Sequence, residues 1–431
     1  MMFENFIKLD LSSKYAIGNK LDPYSRYIIL EGGGQIIYDE LSSVNEKEFN
    51  FNDFCILFSK KYNVNIEFVK EDVDLVIHAL EKLKLITVNN ETTQDYFENF
   101  SYGDTLQEVL NYYNDRNKIY KVFIELTYDC NLRCPHCYLG TDINSTKMAF
   151  NFLSAKTLLD DLHELGVVEL AFTGGECFLN PDTLEIIEYA CSLGFLVGIL
   201  TNGTLLDEKI ISKLVDLPIS YVRISIYGSK DYHDRFVGKT GSFDQSFAAL
   251  KLLNQHRNGF GIATSVMTKP NINGLLEERE IFQEFNITHK MTPVIFPTAK
   301  GDLKPTKLRL SSDQLGELLN NKIIDYRGSK CSAGISRLRI TPNGDVNPCE
   351  LFRNVNFGNI FKNNISEIIN SSARMNWVKN IRIEIEKSAC EQCDKRKHCP
   401  VCIGLAYLES GSLHDKPERV CYMGEVRVAN L

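Results

Sequence analysis

The chain has 431 residues with a formal net charge of -8, and 24% of its residues are charged. Its length suits roughly two to four domains. Its acidic balance argues against a nucleic-acid partner, and no run approaches the ~18 apolar residues of a membrane span. Met1 to Lys14 holds acids and no apolar core of a secretory signal. The thirteen cysteines therefore point to metal binding in a reducing, cytoplasmic setting rather than to a disulfide framework.

Residues 1–100 contain only Cys55. Ser25–Leu30 and Gln35–Glu40 flank Glu31-Gly32-Gly33-Gly34, which predicts a hairpin with a glycine turn. Helical patterns follow at Phe51–Lys61 and Asp72–Leu85, and Leu85-Ile86-Thr87-Val88 reads as a short strand. Asn90–Asp104 is polar, and the segment 101–118 is expected to link this first domain to the next.

The stretch 119–310 alternates strands and helices. Strands are predicted at Lys121–Tyr128, Val167–Thr173, Phe195–Thr201, Tyr221–Tyr227, Gly261–Met267 and His289–Phe296. Their Val, Ile, Leu and Phe content suits strands covered on both faces. Ser154–Leu165 aligns Leu158, Leu159, Leu162 and Leu165 on one helical face and stops at Gly166. Asn180-Pro181-Asp182 opens a second helix, and Ser242–Arg257 makes a third. Right-handed crossovers between parallel strands curl such a sheet into an α/β partial (β/α)6 barrel, with active groups at the C-terminal strand ends.

The chemistry concentrates at one such end. Cys130-Asn131-Leu132-Arg133-Cys134-Pro135-His136-Cys137 places three thiolates on one loop after a strand. Three ligands suit a four-iron cluster with one iron left open to a substrate. A structural zinc wants a fourth ligand, and His136 lies inside the loop rather than at finger spacing. Thr173-Gly174-Gly175-Glu176 follows at the next strand end. This pairing resembles the signature of radical S-adenosylmethionine (SAM) enzymes. The resemblance implies SAM contacts at His136, Gly174, Gly175, Glu176, Asn202, Ser225 and Arg235. The glycines would let backbone approach the methionine ammonium, Glu176 would add a carboxylate, and Arg235 would hold a carboxylate bidentately. Cys55, Cys177 and Cys191 read as small buried hydrophobes.

The segment 311–431 carries seven further cysteines. Cys331, Gly344-x4-Cys349, Cys390-x2-Cys393-x5-Cys399-x2-Cys402 and Cys421 resemble the SPASM extension of peptide and protein maturases. Two residues separate Cys399 and Cys402 where that pattern has three, so this sequence departs from it there. The resemblance implies a first auxiliary cluster on Cys331, Cys349 and Cys402, and a second on Cys390, Cys393, Cys399 and Cys421. With the loop of Cys130, Cys134 and Cys137 this makes three [4Fe-4S] clusters. A zinc ribbon is the alternative for paired C-x2-C knuckles.

The first domain resembles the winged-helix-like α+β recognition element that binds leader peptides of ribosomally made, post-translationally modified peptides. The whole chain is thus similar to maturases of such precursor peptides, and Glu125–Leu139 is most like those making sactipeptide or ranthipeptide thioethers. The resemblance implies a 5′-deoxyadenosyl radical, a sulfur-to-carbon crosslink, a precursor-peptide partner and a flavodoxin- or ferredoxin-type reductant. Carbon–carbon crosslinking and epimerisation share its motifs and remain open; a sulfatase-type maturase would lack the leader-binding first domain, which counts against it.

Overall fold

The computed structural model describes residues 6–11, 14–21, 27–31, 33–44, 49–82, 105–145, 150–320, 331–388, 390–391, 393–395, 399, 402–416 and 418–429. The chain divides into two units, Met1–Arg116 and Asn117–Leu431.

In the first unit, β1 (Phe6–Asp10), β2 (Lys14–Asn19) and β3 (Tyr27–Glu31) form an antiparallel sheet in that order. Helices α1 (Gly33–Ser42), α2 (Phe51–Tyr62), α3 (Ile66–Lys82) and α4 (Thr105–Asp115) follow. The expected strand Gln35–Glu40 is therefore helical. Alternation would have buried Ile36 with Tyr38. Instead Ile37, Tyr38 and Leu41 are buried and Ile36 is 43% exposed, which is the helical spacing. Helix α3 starts six residues before the expected Asp72. Part of the expected linker, Thr105–Asp115, is also helical, with Val109 and Tyr113 buried. The expected strand Leu85–Val88 and the stretch Asn90–Asp104 lie outside the described residues. Cys55 sits in this unit's core with Phe58, Val73 and Leu80.

The second unit opens with β4 (Lys121–Thr127), α5 (Phe152–Glu164), β5 (Glu169–Gly174), α6 (Thr183–Ser192) and β6 (Leu196–Thr201). It continues through α7 (Glu208–Val215), β7 (Ile219–Ser225), α8 (Lys230–Val237), α9 (Ser242–His256) and β8 (Gly261–Val266). Then come α10 (Ile272–Glu284), β9 (Thr288–Thr292), α11 (Ser312–Asn320), β10 (Arg337–Ile340) and β11 (Val346–Asn347). Helices α12 (Ile365–Ile369), α13 (Ser372–Lys387), α14 (Ile403–Ser410) and α15 (Glu418–Ala429) close the described chain.

The six expected strands are present, parallel and in sequential order from β4 to β9. Such order follows from short β/α repeats whose crossovers share one hand. Helix α5 shows why the sequence folds locally. Asn151 and Ser154 form a reciprocal capping box, and Leu158, Leu159 and Leu162 face the sheet. Each such leucine contributes about 1.5–3 kcal/mol by leaving water. The cysteine-rich segment joins this sheet: β10 pairs in parallel with β4, and β11 pairs antiparallel with β10.

Candidate active site

Strand β4 delivers the first three cysteines. The chain leaves the sheet at Thr127, whose Oγ1 accepts from the Asp129 amide at 3.0 Å. Backbone bonds then fold the loop on itself: Cys137 N–H donates to Cys134 O and Gly140 N–H to Cys137 O, each at 3.2 Å. Cys130 N–H donates to Asn144 Oδ1 at 3.0 Å, and Arg133 N–H to Val237 O at 2.8 Å. Burial raises the pKa of Cys130, Cys134 and Cys137, and neighbouring thiols of the set raise Cys130 and Cys134 further. A bound metal reverses this, since a coordinating thiol is deprotonated outright.

The Gly-Gly-Glu turn grips the start of that loop. Gly175 N–H donates to Thr127 O, and Glu176 N–H to Asp129 O, both at 2.8 Å. A Cβ on Gly174 would lie 2.2 Å from Thr127 O, and one on Gly175 would lie 2.3 Å from Asp129 O. Close backbone approach thus requires both glycines, and the approaching partner here is the loop itself. The Glu176 carboxylate is fully buried and accepts from Thr201 Oγ1 (2.7 Å), Asn202 N–H (2.7 Å) and Phe178 N–H (3.2 Å). It ties β5 to β6 rather than standing open to a ligand.

Asn202 is similarly engaged. Its Nδ2 donates to Asn131 Oδ1 at 2.8 Å, while its Oδ1 accepts from Thr204 N–H and Oγ1. His136 stacks on Phe236 (5.2 Å, 17°) and meets the edge of Tyr227 (4.7 Å). Burial pushes its pKa down to about 4, so the ring is neutral, and its Nδ1 is buried without a partner. Ser225 ends β7, where its side chain bonds Tyr227. Arg235 is exposed in the last turn of α8. His136, Gly174, Gly175, Glu176 and Asn202 therefore gather around the thiol loop, while Arg235 is turned to solvent.

The later cysteines fall into two further groups. Cys349 is buried and Cys331 and Cys402 partly so, all within electrostatic reach of one another and of Arg337, and desolvation pushes each thiol up to about 12. Arg337 Nη2 bonds both oxygens of Glu350 at 2.7 Å. Cys421, on α15, feels Cys390 and Cys393. Cys399 packs against the same helix, where a Cβ on Gly424 would lie 3.1 Å from its Cβ. Among the described residues no three His, Cys, Asp or Glu side chains converge on a single metal ion. All-thiol sets of this kind have the donor chemistry of iron–sulfur sites.

Comparison with known proteins decides the family. Residues 124–278 match the radical SAM superfamily, and residues 331–400 match the SPASM iron–sulfur cluster-binding domain. The chain is a radical SAM/SPASM enzyme. It is 29% identical to the antilisterial bacteriocin subtilosin biosynthesis protein AlbA of Bacillus subtilis over 68% of each chain. It is 31% identical to the AdoMet-dependent heme synthase of Methanosarcina barkeri over 41% of this chain and 51% of that relative. In fold it resembles Streptococcus suis SuiB bound to its precursor peptide SuiA, with a TM-score of 0.61 at 15% identity, covering 98% of this chain and 99% of that one. Its cofactors are accordingly SAM, a SAM-binding iron–sulfur cluster and auxiliary clusters.

The radical SAM barrel and SPASM domain meet at a charged cluster that sequence reasoning missed. Glu125, on β4, is 1% exposed; its carboxylate accepts from Tyr138 Oη at 2.7 Å, Arg353 Nη2 at 3.1 Å and Arg339 Nη2. Burial alone would push its pKa up, but the two guanidiniums outweigh this and hold it below the usual range. Arg339 also donates to Asn347 Oδ1 at 2.7 Å and to Tyr128 Oη at 2.9 Å. Above this cluster opens a cavity of about 780 Å³, lined by Tyr128, Arg339, Asn347, Arg353, Asn354 and Tyr407 among others. No local signal marked these partners, because Glu125 and Arg339 are 214 positions apart.

Proposed function

We propose that this enzyme modifies a ribosomally made precursor peptide by joining a cysteine sulfur to a substrate carbon. The observation that carries the reading is the sharing of one sheet by two thiol sets: β4 leads into Cys130, Cys134 and Cys137, and its neighbour β10 lies between Cys331 and Cys349. The similarity to AlbA, a protein of subtilosin biosynthesis, supports the peptide substrate.

Cys130, Cys134 and Cys137 would hold the SAM-binding cluster; Cys331, Cys349 and Cys402 the first auxiliary cluster; and Cys390, Cys393, Cys399 and Cys421 the second. When bound, SAM and its cluster supply the radical that removes hydrogen from a substrate carbon. The chain's part is positional. The Gly-Gly-Glu grip and the Asn131–Asn202 bond fix the loop, and His136, Tyr227 and Phe236 line it with buried rings that exclude water. Gly174 and Gly175, beside the loop, are the first candidates to contact SAM; His136, whose Nδ1 is buried, Ser225 and Arg235 are secondary candidates. Crosslinking forms one C–S bond and breaks one C–H and one S–H bond; the hydrogen atom would go to the SAM-derived radical, the thiol proton to solvent and the remaining electron to an auxiliary cluster.

The first unit would bind the leader. It would do so by adding the leader as a further strand to the β1–β2–β3 sheet. A flavodoxin- or ferredoxin-type donor would supply the low-potential electron, placing the enzyme in the cytoplasm. No described helix is long and apolar enough to cross a membrane.

The test is anaerobic incubation of the holoenzyme with SAM, reductant and each short cysteine-bearing peptide that the reading frames next to its gene encode. Loss of one H2 per crosslink, with the cysteine thiol no longer alkylatable, is expected. A product of unchanged mass would point to epimerisation, and loss of H2 with the thiol still free would point to a carbon–carbon bond.

A further inference from the structure

Three stretches of chain meet at Glu125. Its carboxylate takes the hydroxyl of Tyr138, the residue after Cys137, on one side. On the other it takes Arg339 of β10 and Arg353, four residues after Cys349. Tyr128, two residues before Cys130, bonds Arg339 as well. One buried anion therefore links both ends of the first cysteine loop to two SPASM segments around Cys349. Glu125 and Arg339 are each 1% exposed and Arg353 is 10% exposed, so water does not compete for these bonds. Hydrophobic residues of the same volume would pack such a junction without the cost of burying charge. Ions have what apolar packing lacks, which is a single directional geometry.

We propose that Glu125 is a positioning residue that registers the SAM-cluster loop against the SPASM domain through Arg339 and Arg353, holding two cluster sites at one separation. Radical formation at the first site and electron removal at the second must act on a single bound substrate. Such sites need their supports held within about 0.5 Å. Tyr138 and Tyr128 carry the register to the loop's two ends, and Arg353 carries it to the segment that follows Cys349. Asn347, which bonds both Arg339 and Val355 O, fixes the arginine's other edge. The proposal rests on the reading that both thiol sets carry clusters.

The test uses reconstituted holoenzyme without substrate. Pulsed electron paramagnetic resonance of the reduced protein reads the dipolar distance distribution between the SAM cluster and the auxiliary clusters. Wild-type iron content and spectra judge the cluster reading itself; the width of the distribution judges this proposal. Glu125→Gln leaves both guanidiniums without their counter-charge and should widen the distribution about twofold at full iron content. Arg339→Gln should do the same, the double variant should be no wider than either, and Arg339→Lys should be intermediate. If Glu125→Gln fails to fold, Arg353→Gln, which spares the Arg339 pair, should still widen it. A wild-type width in these fully loaded variants would overturn the proposal. So would additive widening in the double variant, which would make the two residues independent.

Discussion

Asn131 and Asn202 are joined by a hydrogen bond of 2.8 Å between Nδ2 of Asn202 and Oδ1 of Asn131, tying the first cysteine loop to the end of β6. Asn131 Nδ2 in turn donates to Thr204 Oγ1 at 2.8 Å, which itself donates to Asn202 Oδ1 at 2.7 Å. The three side chains form a closed ring in which each polar group serves another. Asn202→Ala should leave buried groups of Asn131 and Thr204 unmet, costing about 1–3 kcal/mol. The expected result is a lower melting temperature and roughly tenfold slower 5′-deoxyadenosine formation, from a loop no longer held in place. Calorimetry and a chromatographic assay of SAM cleavage would check both.

Gly175 and Gly166 offer a contrast. A Cβ at Gly175 would press on backbone at 2.3 Å from Asp129 O, whereas at Gly166 nothing lies within 4 Å and only the left-handed φ of 72° opposes substitution. Gly175→Ala should displace the loop and prevent loading of the SAM cluster. Gly166→Ala should lower stability by about 1 kcal/mol and leave loading intact. Iron content and thermal melts of the two variants separate the effects.

What the sequence disclosed, and what it hid, follows from the range of each interaction. The radical SAM and SPASM cysteine motifs were legible because thiol chemistry and loop spacing are local; which cysteines share a cluster is a proposal. The parallel strands were legible because each is a continuous apolar run. The segment Ile36-Ile37-Tyr38 is apolar at successive positions and fits either period, so only packing against the sheet decided for a helix. Strands β1 and β2, with sequences FIKLD and KYAIGN, are too short and too mixed with polar residues to stand out. Glu176 and Asn202 were placed at the right strand ends, but their side chains hold the loop itself, a use that depends on distances no spacing encodes. Glu125 looked like one more strand residue, since its partners come from the far end of the chain.

Glu278 gives a pH prediction. It is 5% exposed, both carboxylate oxygens lack a hydrogen-bond partner, and burial, with the nearby charge of Glu277, pushes its pKa up to about 8. The folded protein therefore binds a proton that the unfolded chain has released, and stability falls as pH rises from the ordinary carboxylate range toward 8. Below that range both states are protonated and the penalty vanishes; above 8 it is fully present. Glu278→Gln should match the wild type near pH 4.5 and exceed it in melting temperature by a few degrees, on the order of 2–4 °C per kcal/mol relieved, near pH 8. A gain of equal size at both pH values would rule out titration as its cause.

Replacing Cys130, Cys134 and Cys137 together by Ala should abolish 5′-deoxyadenosine formation. Cys331, Cys349, Cys390, Cys393, Cys399, Cys402 and Cys421 remain in that variant, so it should keep the auxiliary iron and its visible absorption. SAM cleavage that survives the triple change would remove the loop from its assigned role.

The first auxiliary site carries the sharpest expectation. Its three thiols, Cys331, Cys349 and Cys402, lie within electrostatic reach of one another, while Cys399 packs against Gly424 of α15, the helix that carries Cys421, which suits its proposed place in the other set. Cys55, Cys177 and Cys191 are buried in hydrophobic cores and are spent there. A four-iron cluster held by these three thiolates would leave one iron without a protein ligand, available to a substrate thiol. The thiols Cys331, Cys349 and Cys402 would then hold the cluster beside the substrate sulfur, and the cluster would supply an acceptor for the departing electron. Cys331→Ala or Cys349→Ala should therefore stop crosslinking while SAM cleavage continues, so that 5′-deoxyadenosine accumulates without modified peptide. Adding the cysteine-bearing precursor to wild-type enzyme should shift the Mössbauer signature of one auxiliary iron, and a precursor with that cysteine changed to Ser should not. A spectrum insensitive to the precursor cysteine, or a structure with four protein ligands on this cluster, would place the substrate sulfur elsewhere.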